Sequence, residues 1–193
     1  MASPMLHLAT GFAIYAADRA AFHSPSEGRR APPEPAWLTA ALFFSLFPDL
    51  DAVAGILSGD MGRYHNQALH SLLVALPLAL ALAGLCSAPG ARQLGRALRL
   101  ASAGVLTHLA LDSITAGRGV MLLWPFTDRR FLSDPSLLRG LVWSEGLVSR
   151  EHVLTFFQEL PWTLGLLLLG AGCLAKARRT AGSGKGSREP TAT

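Results

Sequence analysis

The stretch FFSLFPDLDAVAGIL, residues 43–57, is apolar on both sides of two carboxylates, Asp49 and Asp51, which follow Pro48. An aspartate near the centre of a membrane helix costs about 2.5–3.5 kcal/mol on insertion scales. Proline removes a backbone donor and clashes with the preceding turn, and the residue before it favours an extended backbone. We therefore predict that the helix breaks near Phe47. Broken backbone at membrane depth is tolerated where it lines a polar cavity, into which both carboxylates could point.

The composition of the whole chain favours a membrane protein. Half of the 193 residues are hydrophobic and only 16% are charged, whereas soluble domains carry about 25% charged residues. Five apolar segments stand out, at Met1–Ala17, Trp37–Leu57, Ser71–Ala91, Leu100–Gly117 and Val153–Ala175. We expect an all-α, polytopic helical membrane protein with about four to five transmembrane helices, one of them broken at Pro48. Residues 1–175 would form the membrane-embedded domain, and residues 176–193 a disordered basic tail.

The distribution of basic residues predicts the orientation. Eleven of the 17 Lys and Arg residues fall in the first and third connections and the tail, which lie on one side of the membrane. The positive-inside rule places that side in the cytoplasm. We expect membrane lipids rather than nucleic acid as the partner of the tail.

Polar residues from four of the segments then gather at the non-cytoplasmic face. The set comprises His7, Asp49, Asp51, His65, His70, His108 and Asp112. In HLALD, residues 108–112, the spacing of four places the histidine and the aspartate on one helix face. In HNQALH, residues 65–70, the spacing of five would separate the rings on a helix. We therefore expect His65 in the preceding loop and His70 in the first turn.

Imidazole nitrogens combined with carboxylate oxygens are the ligands of a divalent metal, zinc first, with manganese and iron as alternatives. The set contains no thiolate, which favours a catalytic site over a structural one. Seven candidates exceed one tetrahedral shell, so the site could hold one ion or two.

Most of these residues also have a simpler interpretation. His7 could be a packing residue, His65 a solvated loop residue, and His108 and Asp112 an intrahelical pair. One of the two aspartates could cap a short helix at residues 52–58. Trp124 and Phe126 could belong to an aromatic belt or form a lid over the site. At the level of the whole protein, the alternatives to an enzyme are a metal-binding transporter and a structural membrane protein without catalysis.

Four motifs that contain these residues follow one another along the chain. An early histidine at position 7 is followed by FPDLD at 47–51, HNQALHSL at 65–72 and THLALDSITAGRGVMLLWPF at 107–126. This pattern resembles the YdjM-type family of bacterial inner-membrane proteins, which are described as membrane-bound metal-dependent hydrolases. The resemblance implies metal or catalytic roles for the seven residues. It also implies a further glutamate at the start of the last helix, for which Glu151 is the best match and Glu145 the second.

The chain departs from the family pattern after the first histidine of the pair. Asn66 and Gln67 stand where the family has Arg-Gly, which puts the substrate class in more doubt than metal binding. The expected function is hydrolysis of a lipid-linked ester or phosphoester by a metal-activated water in the inner membrane. Asp49 or Asp51 would serve as general base, with Glu151 as a further catalytic candidate.

Overall fold

Six α-helices and two 3₁₀ turns make up the regular structure of the described residues. The computed structural model of the chain describes residues 1–22, 33–59, 65–87, 90–141 and 149–183. The elements are α1 (Pro4–Phe22), α2 (Glu34–Leu46), a 3₁₀ turn (Phe47–Leu50), α3 (Asp51–Leu57), a second 3₁₀ turn (Ala68–His70), α4 (Leu72–Cys86), α5 (Ala91–Ile114) and α6 (Arg150–Ser183). Within these ranges there is no β-strand, and the predicted all-α class is confirmed.

The predicted break at Pro48 is confirmed. Helix α2 ends at Leu46, the chain passes through the first 3₁₀ turn, and α3 begins at Asp51. Phe47 keeps a right-handed helical backbone (φ −53°, ψ −43°) instead of the extended one that a residue before proline favours, so the expectation for Phe47 is wrong and the interruption is a tightening to a 3₁₀ turn. Asp49 therefore lies within the interruption of the α-helix, and Asp51 at its end.

Helix α5 begins earlier than its apolar segment predicts, and its first half contains Arg96. The segment bounds predict that Arg96 lies in the third connection, but the structure places it in the helix with 4% of its surface exposed. Its guanidinium lies 2.7 Å from Asp18 and 3.0 Å from Glu34, and it covers the ring of Trp37 at 4.8 Å. A buried arginine is stable only when its charge is paired in this way. The network joins α1, α2 and α5 at the end of α5 opposite Asp112.

Small residues allow α2 and α5 to approach closely. A Cβ atom added at Gly104 would lie 2.7 Å from the carbonyl carbon of Phe44 and 2.9 Å from the backbone nitrogen of Ser45. The core around this contact includes Phe44, Leu100, Ala101 and Val105. Small residues at helix crossings bring the two backbones together. The backbone of Ser45 therefore lies within reach of side chains on α5.

Two stretches of described helix are long and apolar enough to cross a bilayer. They are Glu34–Leu57, which includes the break, and Arg150–Thr180, while α4 is apolar but shorter. The larger number of spans that we expect from the sequence stays a prediction. Helix α6 continues to Ser183, so the first part of the predicted disordered tail is helical. Residues 184–193 lie outside the described residues.

Candidate metal centre

The structure brings all seven predicted histidines and aspartates into one buried cluster. Six of them are at most 8% exposed as whole residues, and the side chain of the seventh, Asp49, is 16% exposed. The members come from α1 (His7), the first 3₁₀ turn and the start of α3 (Asp49, Asp51), the segment before α4 (His65, His70) and α5 (His108, Asp112). Residues far apart in sequence therefore converge on one point.

Hydrogen bonds fix the position of one proton on each of two imidazole rings. The Nδ1 atom of His108 lies 2.7 Å from the carbonyl oxygen of Ser45. A carbonyl oxygen can only accept, so Nδ1 carries the proton and a neutral ring leaves a lone pair on Nε2. The same reasoning applies to His70, whose Nδ1 lies 2.9 Å from the Asp51 carboxylate. The two Nε2 atoms face each other at 3.3 Å.

Two carboxylate oxygens complete a four-atom group around these nitrogens. Asp112 Oδ2 lies 3.2 Å from His70 Nε2 and 3.6 Å from His108 Nε2, and Asp49 Oδ1 lies 3.6 and 3.5 Å from the same atoms. A tetrahedral zinc site with bonds of about 2.0–2.1 Å has ligand–ligand distances of about 3.3 Å. No described residue donates a hydrogen bond to either oxygen of Asp49 or to Asp112 Oδ2. The group has the dimensions and the unsatisfied acceptors of a cation site.

Asp51 plays a different part from Asp49. Its two oxygens accept hydrogen bonds from Nδ1 of His65 at 2.7 Å and Nδ1 of His70 at 2.9 Å. Carboxylates that accept from the far nitrogen of a metal-binding histidine fix the tautomer and the ring orientation. Asp51, His65 and His70 also lie close enough to form a second group that could hold an ion. The Nε2 atom of His65 contacts Met1 Sδ and lies 3.9 Å from Asp49 Oδ1.

His7 lies against the outer side of the group. Its ring stacks on that of His108, with 3.8 Å between centroids and 12° between planes. Its Nε2 atom lies 3.4 Å from Asp112 Oδ1, which also accepts the Ala2 N–H at 2.9 Å. Neither ring nitrogen of His7 has a hydrogen-bond partner among the described residues. Asp112 therefore connects His7 to the two central histidines.

Local sequence explains how the histidine pair at 65 and 70 is presented. His65 lies in a turn, as expected, and His70 ends the 3₁₀ turn that precedes α4. Asn66 between them has a φ of 62°, a left-handed conformation in which asparagine is several-fold enriched. Ser71 caps α4 and donates its hydroxyl to the Trp124 carbonyl at 2.6 Å. The segment after α5 is thus held over the start of α4, with Phe126 86% exposed at its end.

The structure does not bring Glu151 to the cluster. Its side chain is 48% exposed and pairs with Arg139 at 3.7 Å, and Glu145 lies outside the described residues. Glu159, two turns further along α6, is fully buried and accepts the Ser3 N–H at 3.0 and 3.2 Å. Ser3 follows Ala2, which donates to Asp112. The signal for Glu159 was its place as the only charge within residues 153–175.

Comparison with known proteins agrees with the motif resemblance. A family model described as YdjM inner membrane protein matches residues 1–181. The inner membrane protein YbcI of Escherichia coli (strain K12) is 29% identical over 147 residues, which cover 70% of this chain and 82% of that protein. No solved structure matches the chain. The expected family is therefore confirmed: the chain belongs to the YdjM inner membrane protein family.

Proposed function

We propose that this inner-membrane protein is a metal-dependent hydrolase whose cluster holds one or two divalent ions, with zinc as the leading candidate. The observation that carries the proposal is the meeting of two imidazole nitrogens and two carboxylate oxygens, all four of which are acceptors when both imidazoles are neutral. The bare Nε2 atoms of His70 and His108 face each other at 3.3 Å, between oxygens of Asp49 and Asp112. Lone pairs that face one another repel unless a cation lies between them.

The charge of the cluster supports the same conclusion. Asp49, Asp51 and Asp112 are three carboxylates in one buried space, and the histidines are neutral when they act as ligands. Burial of unpaired carboxylates is strongly unfavourable. One divalent ion would offset two of the three negative charges, and a second ion at His65 or His7 would offset the third and leave one positive charge for a bound anion or hydroxide.

The geometry also distinguishes the roles of the aspartates. A bound divalent ion supplies Lewis acidity and lowers the pKa of the water it holds to about 7. Asp51 is committed to orienting His65 and His70. Both oxygens of Asp49 are buried and accept no hydrogen bond from a described residue, and only Oδ1 belongs to the four-atom group. Oδ2 of Asp49 is therefore the better placed general base to take a proton from water.

An apolar cavity of about 440 Å³ supports a lipid-linked substrate. It lies between α1, α5, α6 and residues 137–138, and its lining includes Leu6, Leu111 and Trp162. Leu6 and Leu111 directly precede His7 and Asp112 in the chain. An acyl chain in this cavity would thus lie against the helices that carry the site, and the ester or phosphoester of the same molecule could reach the cluster.

We further propose a multi-pass arrangement of four to five spans, with the site near the non-cytoplasmic face. Along α5, Arg96 and Asp112 are separated by about 24 Å at 1.5 Å per residue, which approaches the thickness of a hydrocarbon core. The Arg96 network and the metal centre would then lie at opposite sides of the membrane. The arginine-rich end of α5 corresponds to the cytoplasmic side by the positive-inside rule.

The test is the metal content of the protein purified in detergent, followed by assays on lipid esters and phosphoesters. We expect one or two divalent ions per chain in the wild type and their loss in a His108→Ala/Asp112→Ala variant. An Asp134→Ala variant, altered at an exposed loop residue, should retain them. Hydrolysis should stop after chelation and return with added metal.

Two other outcomes would overturn the proposal. A wild-type protein without stoichiometric metal, even after reconstitution, would support a structural role in which protons neutralise the carboxylates. Metal-dependent uptake into proteoliposomes without hydrolysis would support a transporter.

A further inference from the structure

Two arginines from the connection between α5 and α6 lie against the turn that carries His65. Arg118 donates from Nη2 to the His65 carbonyl oxygen at 3.4 Å. Arg130 donates from Nη1 to the carbonyl oxygens of Asn66 at 3.4 Å and Gly119 at 3.1 Å. The imidazole of His65 points into the cluster. Arg118 thus contacts the backbone of a cluster histidine, and Arg130 contacts the backbone of the residue that follows it.

The two guanidinium groups bind the carbonyl oxygens of consecutive residues, His65 and Asn66, so the two positive charges lie close together. Burial lowers the pKa of Arg130 and the charge of Arg118 lowers it further, while the charge of Asp128 opposes the shift. Arg130 forms no ion pair with any described residue, and its Nε and Nη2 atoms make no hydrogen bond within the described ranges. Arg118 is exposed and Arg130 half-buried, so solvent reaches the pair. Like charges held together beside a reaction centre favour a bound anion.

We propose that Arg118 and Arg130 form a phosphate-binding subsite beside the metal centre. This assignment rests on the proposed function and narrows its substrate class to phosphoesters. A phosphate group carries about 1.5 to 2 negative charges at neutral pH, which matches two guanidinium groups better than a single carboxylate does. The planar fork of arginine also binds phosphate through paired N–H donors. The phosphate would be held by Arg118 and Arg130 while the ester bond faces the histidines and Asp49.

The proposal is tested by titrating the purified full-length protein with inorganic phosphate in an isothermal calorimeter. In an Arg118→Gln/Arg130→Gln variant, the Kd for phosphate should rise about ten-fold or more, since each hydrogen bond to a charged group contributes substantially to binding. Arg130→Lys, which keeps the charge and loses the fork, should give an intermediate Kd. Arg129→Gln is the matched control, because its guanidinium stacks on Phe131 at 5.5 Å, and it should bind as the wild type does.

Further ligands distinguish the source of the phosphate. Dioctanoyl phosphatidic acid, inorganic phosphate, acetate and dioctanoylglycerol are compared in the same detergent. Tight binding of both phosphates indicates recognition of the phosphate alone, and preference for phosphatidic acid indicates a lipid headgroup. Either result supports the subsite if the double variant weakens binding. Equal binding of dioctanoylglycerol and phosphatidic acid, or of acetate and phosphate, would overturn it.

The metal content of every variant is measured in parallel, so that the two proposals fail separately. If the wild type holds metal but its phosphate affinity is unchanged within two-fold in the double variant, the subsite is refuted and the metal centre stands. If no protein sample holds metal but the double variant loses phosphate binding, the hydrolase proposal is refuted and the anion site stands. A wild type that binds neither phosphate nor phosphatidic acid also refutes the subsite.

Discussion

Replacing Asp51 with asparagine tests whether this carboxylate orients the proposed metal ligands or is itself a ligand. The carboxylate accepts one hydrogen bond from each of two histidines, at 2.7 and 2.9 Å. Asparagine has the same shape but only one acceptor oxygen, and its amide group would place a donor against the other Nδ1–H. One histidine would therefore lose its fixed tautomer and orientation, while Asp49, His108 and Asp112 would remain in place.

The expected size of the effect follows from that single lost contact. A hydrogen bond to a charged group contributes about 1.5–3 kcal/mol. Loss of a carboxylate that orients a metal-binding histidine reduces metal affinity about 10- to 100-fold, or about 1.4–2.7 kcal/mol. The two ranges agree. We therefore expect Asp51→Asn to retain metal at saturating concentration with a Kd raised about 10- to 100-fold.

The measurement is a competition titration against a chromophoric zinc chelator, with Asp112→Asn and Asp134→Asn alongside. Asp112 faces two ring nitrogens directly and should lose far more affinity than Asp51, whereas the exposed Asp134 should have no effect. If Asp51→Asn binds within two-fold of wild type, the orienting role is refuted. If it loses metal as completely as Asp112→Asn, Asp51 is itself a ligand.

Two further substitutions test how the helices position the site. Gly104→Ala should lower both thermal stability and metal affinity, because the added Cβ would collide with the α2 backbone that holds His108. Gly165→Ala is the control, since open space surrounds Gly165, and its melting temperature in detergent should be unchanged or slightly raised. Glu159→Gln should reduce the unfolding free energy by about 1–3 kcal/mol, because the amide weakens the contact with the Ser3 N–H. The exposed Glu151→Gln is its control, and equal melting temperatures for the two glutamate variants would contradict the assigned role of Glu159.

The parts of the site predictable from sequence are those that depend on local geometry. The break at Pro48 follows from the missing donor and the ring of one residue. The alignment of His108 with Asp112 follows from the helical repeat alone. The gathering of the seven residues could be predicted because the alternating order of five expected spans would place the ends that carry them on one side. Their individual distances could not, since these depend on how closely α2 approaches α5 at Gly104.

The residues that sequence reasoning missed depend on contacts between distant segments. The sequence predicts Arg96 in a connecting loop because an apolar segment is drawn only as far as the nearest charged residue. Its partners, Asp18 and Glu34, are 78 and 62 residues away. The choice between Glu151 and Glu159 depends on which turn of α6 packs against the start of α1. That register is set by packing such as the contact of Gly170 with Phe12, which no motif records.

The contact between Ser3 and Glu159 spans 156 residues and has a consequence for biosynthesis. The segment before α1, whose Ala2 N–H donates to Asp112, can complete its contacts only when α6 has been translated and has docked. Until then the three aspartates of the cluster are within the nascent chain without their complete surroundings. Any metal bound by the proposed centre would thus be loaded at the end of membrane insertion, and a chain that stops before α6 should leave the insertion machinery without a finished site.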